Sequence, residues 1–152
     1  MDALTLARAS AEAMWAEDRA SQGLGMKIVA VKPGHAILAM TVTEAMVNGH
    51  KLCHGGFIFT LADSALAFAC NSYNRKAVAY HCSITFVASA GLGDRLEARA
   101  VERSRVGRAG IYDVTVTREP GQVIAEFRGH SRTLEGELVS GLASRAPRRQ
   151  DT

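Results

Sequence analysis

His54-Gly55-Gly56-Phe57-Ile58-Phe59-Thr60-Leu61-Ala62-Asp63-Ser64-Ala65-Leu66-Ala67-Phe68-Ala69-Cys70-Asn71 is apolar almost all round once past its two glycines, with Asp63 as the one carboxylate inside it. The run is too short to span a bilayer and is broken near its middle by that charge. A helix apolar on every side has to be surrounded by the rest of its own protein. The flanking sequence shows what is available to surround it. Upstream, residues 3–20 read as an amphipathic helix, with Leu4, Ala7, Ala11, Met14 and Trp15 at helical spacing, and Gly23 and Gly25 stop it. Residues 26–32 and 36–43 read as two strands joined at Pro33-Gly34, a hairpin, and a polar connection over 44–53 carries Asn48-Gly49-His50.

Downstream of Tyr73-Asn74-Arg75-Lys76, four strand-like runs follow at 77–88, 94–104, 110–119 and 122–134. Leu96, Ala98 and Ala100 alternate with Arg95, Glu97 and Arg99; Tyr112, Val114 and Val116 alternate with Asp113, Thr115 and Thr117. Val123, Ala125 and Phe127 alternate with Ile124, Glu126 and Arg128, which places Ile124 on the outer side. Such alternation marks an antiparallel sheet with one buried face. The expected fold class is therefore α+β: a curved antiparallel sheet wrapped around a long central apolar helix. One domain covers 1–139, and residues 140–152 read as a disordered basic tail. No internal repeat is visible.

Composition narrows the function classes. The chain has 152 residues, 47% of them hydrophobic and 22% charged, which is enough for one well-cored domain and excludes wholesale disorder. The net charge of +3 is uneven: Arg145, Arg148 and Arg149 against Asp151 place +2 of it in the tail. The body is then close to neutral, which gives no footprint for nucleic acid. Three cysteines, Cys53, Cys70 and Cys82, with no C-x-x-C, argue against a disulfide framework and for a reducing compartment. With no signal peptide and no membrane span to be read, a cytoplasmic protein is expected.

Two features of the central run carry chemistry. Glycines opening a helix present unpaired backbone N–H groups at the positive end of its dipole, and their missing side chains let another group approach closely. That suits a developing oxyanion, as in acyl transfer. Asp63 lies among Phe59, Thr60, Leu66 and Ala67. Burial there raises a carboxyl's pKa, marking it as a base or nucleophile, unless it is bonded to a hydroxyl such as that of Thr60. Gly55 and Asp63 are eight residues apart, about 12 Å along one helix, so both cannot touch the same reacting carbonyl. If both act together, two central helices must pack antiparallel across a twofold axis, each site taking its glycine from one copy and its aspartate from the other.

Asn48-Gly-His-Lys-Leu-Cys-His54-Gly-Gly-Phe-Ile-Phe-Thr-Leu-Ala-Asp63, continuing through Ala67-Phe-Ala-Cys-Asn71, resembles the hotdog-fold acyl-CoA thioesterases. It is most similar to the PaaI-type branch of phenylacetate degradation. Strand-level likeness extends over residues 12–136, and His-Gly-Gly with Asp nine residues after the His is specific to the group. The resemblance implies hydrolysis of phenylacetyl-CoA or ring-hydroxylated phenylacetyl-CoA to free acid and coenzyme A, with no metal or redox cofactor. It also implies a homodimer with shared sites, associating as a tetramer of two dimers. By the same resemblance, the Gly55 N–H polarises the thioester carbonyl and Asn48 holds that carbonyl or the attacking water. His54 orients the loop, and Asp63 attacks or activates water. Where some relatives carry a hydroxyl to position water, this chain has Ala67 and Ala79; His81 and Ser83 are the substitutes to examine.

Around this centre, Gly56 is a candidate substrate-binding residue, Phe59 and Tyr80 are candidates to line a pocket for an aromatic acyl group, and Arg108, Arg128, His130 and Arg132 are candidates for the coenzyme A nucleotide. The bland reading of these arginines is solvated strand charge. His50-x-x-Cys53-His54 lacks a convincing fourth ligand for zinc. Cys53 at a helix start is an alternative nucleophile if its thiolate is stabilised. Two other functions compete with hydrolysis: a non-catalytic acyl-CoA sensor and a hotdog enoyl-CoA hydratase.

Overall fold

A computed structural model describes residues 1–142. Asp2 caps α1 (Ala3–Glu17) by accepting the Thr5 N–H at 2.7 Å. The single helix expected over 3–20 is two helices, because Asp18 acts as a fresh cap. Its carboxylate accepts the Ser21 N–H at 2.9 Å and starts α2 (Arg19–Gly23) at a new angle. The hairpin follows as β1 (Lys27–Lys32) and β2 (His35–Thr41), turning at Gly34 with φ +72°. Then come α3 (Gly55–Cys70), β3 (Ala77–Phe86), β4 (Arg95–Val106), β5 (Ala109–Arg118) and β6 (Gln122–Thr133).

All six strands form one antiparallel sheet in the order β1-β2-β4-β5-β6-β3. Its concave face packs on α3, and the alternation read from β4 and β5 holds: Leu96, Ala98, Ala100, Val114 and Val116 are fully buried, with Tyr112 close to it. The helix lies close against Gly129 on β6, where an added Cβ would collide with Leu66 Cδ2. The expected placement of Ile124 on the outer side is corrected by a bulge. Val116 pairs with Ala125 and Thr117 with Val123, leaving Ile124 as the extra residue. Ile124 and Ala125 are therefore both buried and Val123 is exposed.

Within one chain α3 is embraced on one side only. Ile58, Leu61, Ala62, Ala65, Leu66, Phe68 and Ala69 are buried, while Gly56, Thr60, Asp63 and Ala67 leave a partly open stripe down the other side. These four recur at helical spacing. Beside that stripe, β3 is an edge strand with Val78, Tyr80 and Phe86 exposed. An apolar edge with unpaired backbone groups is a surface that calls for cover.

At the far end, the Tyr73 and Tyr112 hydroxyls both donate to Glu102, and the Arg105 guanidinium lies 3.7 Å above the Tyr73 ring. This cluster pins the end of α3 to β4 and β5. Asn74 donates to the Val139 and Leu142 carbonyls, each at 2.9 Å, and so ties 139–142 to the domain. Of the expected basic tail, Ser140–Leu142 thus belong to a held turn, and 143–152 lie outside the described residues.

Candidate active site

The start of α3 has an uneven set of N–H groups. His54 is the cap: its Nδ1 accepts the Gly56 N–H at 2.9 Å, which puts the ring proton on Nε2, and its carbonyl accepts from Phe57. Gly56, a candidate for substrate binding, thus has its N–H already committed. The Gly55 N–H has no hydrogen-bond partner among the described residues and remains a free donor at the dipole's positive end. Gly55 also lies against the Phe86 ring of β3, where a Cβ would stand 2.8 Å from Cζ. The phenyl ring covers one side of the glycine. Replacing His54 with alanine removes the cap and lowers stability by about 1 kcal/mol, read as a fall in thermal midpoint.

Asn48 stands in the loop before the helix. Its Oδ1 accepts the His50 and Leu52 N–H groups at 2.9 and 3.2 Å, which leaves its amide NH2 as the group available to a ligand. His50 itself is exposed in this turn. Cys53 is buried behind it, with its thiol directed at the His54 carbonyl at 3.6 Å, and burial pushes its pKa up. The environment at that position favours the neutral thiol over the thiolate.

Asp63 faces the open side of α3 without a hydrogen-bond partner among the described residues, and burial pushes its carboxyl above the ordinary value. The bland alternative, a bond to Thr60, does not form: the Thr60 hydroxyl donates to the Gly56 carbonyl at 2.8 Å instead. The carboxyl borders an open cleft of about 490 Å³, walled by Met14, Leu66, Ala67, Ala79 and Leu134 among others. Both hydroxyl-less positions noted in the sequence, Ala67 and Ala79, thus stand in that wall. The substitutes do not reach it. His81 pairs with His130 and Ser83 with Arg128, and both partners flank Gly129, which itself faces α3; the four therefore point to the outer side of the sheet.

A carboxyl raised on folding works against stability once ionised. That deficit is absent below the unfolded carboxylate range and grows as pH rises through the folded value. Asp63→Asn accordingly raises the thermal midpoint at neutral pH, and the gain disappears under acid conditions. Equal midpoints for the two proteins at every pH would contradict the burial of this charge.

The remaining candidates divide by face. Phe59 packs edge-on against Phe127 at 5.3 Å between centroids and is chiefly core. Tyr80, His130 and Arg132 cluster on the outer side with His81: Tyr80 and His130 are 6.1 Å apart, and the Arg132 guanidinium lies 5.1 Å from the Tyr80 ring. Arg128 is spent on Asp113, with contacts at 2.6 and 2.9 Å that hold the Asp113 carboxyl below its usual range. Arg108 stands in the turn between β4 and β5 with no ion pair among the described residues. Phe86 over Gly55, a contact between β3 and the start of α3, and the Asp113 partner of Arg128, a pair across β5 and β6, are not visible in the sequence. Among the described residues, no group of three or more His, Cys, Asp or Glu stands together as a metal cluster, and no helix is long and apolar enough to cross a membrane.

A free backbone N–H and a carboxyl without a partner among the described residues, both on one helix, coincide with a family-level match. The model of the thioesterase superfamily matches residues 50–125, a segment that begins at His50 and contains Gly55 and Asp63. The chain belongs to the thioesterase superfamily. Within this superfamily it is 40% identical over 130 residues to the acyl-coenzyme A thioesterase PaaI of Escherichia coli, covering 86% of this chain and 93% of that one. The structure of the E. coli PaaI protein from the phenylacetic acid degradation operon superposes with a TM-score of 0.88 at 39% identity, over 90% of this chain and 99% of the other. A Streptococcus mutans protein, smu.793, bound to acetyl CoA, superposes with a TM-score of 0.71 at 28% identity, covering 74% and 90%. The six-stranded antiparallel sheet curved over one helix is the hotdog fold that this thioesterase shares with them, as the sequence led one to expect.

Proposed function

We propose that this thioesterase hydrolyses acyl-CoA thioesters, of the phenylacetyl or ring-hydroxylated phenylacetyl type, releasing a free acid and coenzyme A. The reading is carried by one observation: the free Gly55 N–H and the unpartnered Asp63 carboxyl sit about 12 Å apart on the same helix, too far to serve one carbonyl. Two copies, with their α3 helices antiparallel and their β3 edges paired, bring the N–H of one to the carboxyl of the other. The small-residue stripe Gly56, Thr60, Asp63 and Ala67 and the exposed apolar edge of β3 support such a homodimer. A tetramer of two dimers and a cytoplasmic setting, consistent with three unpaired cysteines, complete the proposal.

In this site the Gly55 N–H, helped by the Asn48 amide, donates hydrogen bonds to the thioester oxygen and stabilises the charge that develops on it. Asp63 of the facing copy either removes a proton from water as it attacks the carbonyl carbon or attacks that carbon itself. The C–S bond breaks and the thiolate takes a proton from the water that is consumed; where Asp63 itself attacks, that water opens the acyl–aspartyl anhydride and restores the carboxylate. No metal or redox cofactor is needed for these steps. Tyr80, His130, Arg132 and Arg108 are the aromatic and cationic groups proposed for the coenzyme nucleotide.

The test is free-thiol release from a panel of CoA thioesters, run beside native mass measurement. Release from arylacetyl-CoA by a dimer or tetramer supports the reading. Binding without release would indicate a sensor instead, and hydration of an enoyl-CoA a lyase.

A further inference from the structure

The cleft beside Asp63 is almost wholly apolar, so its few polar groups determine what can enter. Asn71 is fully used: its amide donates to the Ala67 and Ala77 carbonyls at 2.9 and 3.0 Å, and its Oδ1 accepts the Ala77 N–H at 2.9 Å. Two polar side chains remain uncommitted. One is Asp63; the other is Lys76, which follows Asn71 beyond the C-terminal end of α3. The Lys76 backbone is fixed, donating to the Gly136 carbonyl and accepting from Leu134. Its side chain lies along Gly136, where an added Cβ would stand 3.4 Å from Cδ and 3.7 Å from Nζ. Its ammonium has no ion pair among the described residues.

We infer that Lys76 is a specificity-determining residue that selects acyl groups carrying an oxygen acceptor at their far end. The inference rests on the hydrolase reading for what enters the cleft, and deepens it by naming the distal feature of the acyl group. The apolar walls formed by Met14, Leu66, Leu134 and Leu138 suit an acyl chain or ring, and are wrong for a nucleotide, which would need its charges met. The dimensions agree. Asp63 and Asn71 are about 12 Å apart along α3, and Lys76 adjoins the Asn71 end. A phenylacetyl group spans about 7 Å from carbonyl carbon to para substituent by standard bond lengths, which leaves room for an ammonium contact there. A carboxylate at that end pairs best, because both partners are charged. A phenolic hydroxyl pairs less well, and an unsubstituted ring not at all.

The experiment compares kcat/KM for para-carboxyphenylacetyl-, para-hydroxyphenylacetyl- and phenylacetyl-CoA in the wild-type protein, Lys76→Met and Lys76→Arg. The wild type follows that order, with the carboxylated substrate favoured roughly tenfold over the plain ring, as expected for a charge-assisted hydrogen bond. The preference collapses in Lys76→Met, which keeps the alkyl stem, and persists in Lys76→Arg. An order unchanged in Lys76→Met would overturn the inference. Calorimetric binding of para-carboxyphenylacetate to wild type and Lys76→Met needs no turnover. If no thioester is cleaved, the hydrolase reading falls. Weaker binding to Lys76→Met would then still support the cleft's selectivity, and equal binding would overturn it.

Discussion

Asp63→Asn lowers kcat for thioester hydrolysis by about a thousandfold, the range expected when a general base or nucleophile is lost. The substitution keeps the shape and removes the charge. Because the carboxyl is pushed above its ordinary value by burial and has no partner, neutralising it does not weaken the fold. Loss of turnover together with an undiminished thermal midpoint at neutral pH therefore assigns the effect to chemistry. A variant retaining a tenth or more of wild-type kcat would remove Asp63 from the reaction. Single turnover in oxygen-labelled water tests the covalent mode: label in the Asp63 carboxylate establishes an anhydride opened at Cγ, and label only in the released acid shows that water attacked the acyl carbon. The acid limb of kcat/KM lies above the ordinary aspartate value, since only the ionised form works in either mode.

Gly55→Pro lowers kcat by about a hundredfold to a thousandfold, the typical effect of deleting one oxyanion donor. Proline is accepted at the first position of a helix, so α3 still starts there while the N–H disappears. The close contact with Phe86 has to be controlled, because a Cβ at residue 55 would meet its ring at 2.8 Å. Phe86→Ala is the proper background. In that background Gly55→Ala, which keeps the N–H, retains activity, and Gly55→Pro, which lacks it, does not. Equal activity of the two double variants would show that crowding, and not the donor, explains the glycine.

Much of this was legible in the sequence because it depends on local periodicity. The α3 helix, the buried faces of β4 and β5, and the place of Asp63 as the one carboxylate inside α3 follow from residue spacing; that the Thr60 hydroxyl turns to Gly56 and leaves Asp63 unbonded does not. What escaped depends on register or on partners distant in the chain. Ile124 is buried only because a bulge shifts β6 against β5. Asp18 divides the N-terminal helix because a carboxylate at that point can cap as easily as it can be solvated. Arg128 has the composition of a phosphate ligand, yet sits across from Asp113 in the paired strands. The commitment of the Gly56 N–H to His54, with Gly55 left free, is a matter of side-chain rotamer that the His-Gly-Gly motif does not specify.

The most direct test of a centre divided between two copies is to mix an Asp63→Ala chain with a Gly55→Pro chain under conditions that let subunits exchange. Each is inactive alone. Heterodimers should regain one intact site of two, so the equilibrated mixture recovers a measurable fraction of wild-type turnover that tracks the heterodimer population seen by native mass spectrometry. Confirmed heterodimers that release no thiol would contradict the account.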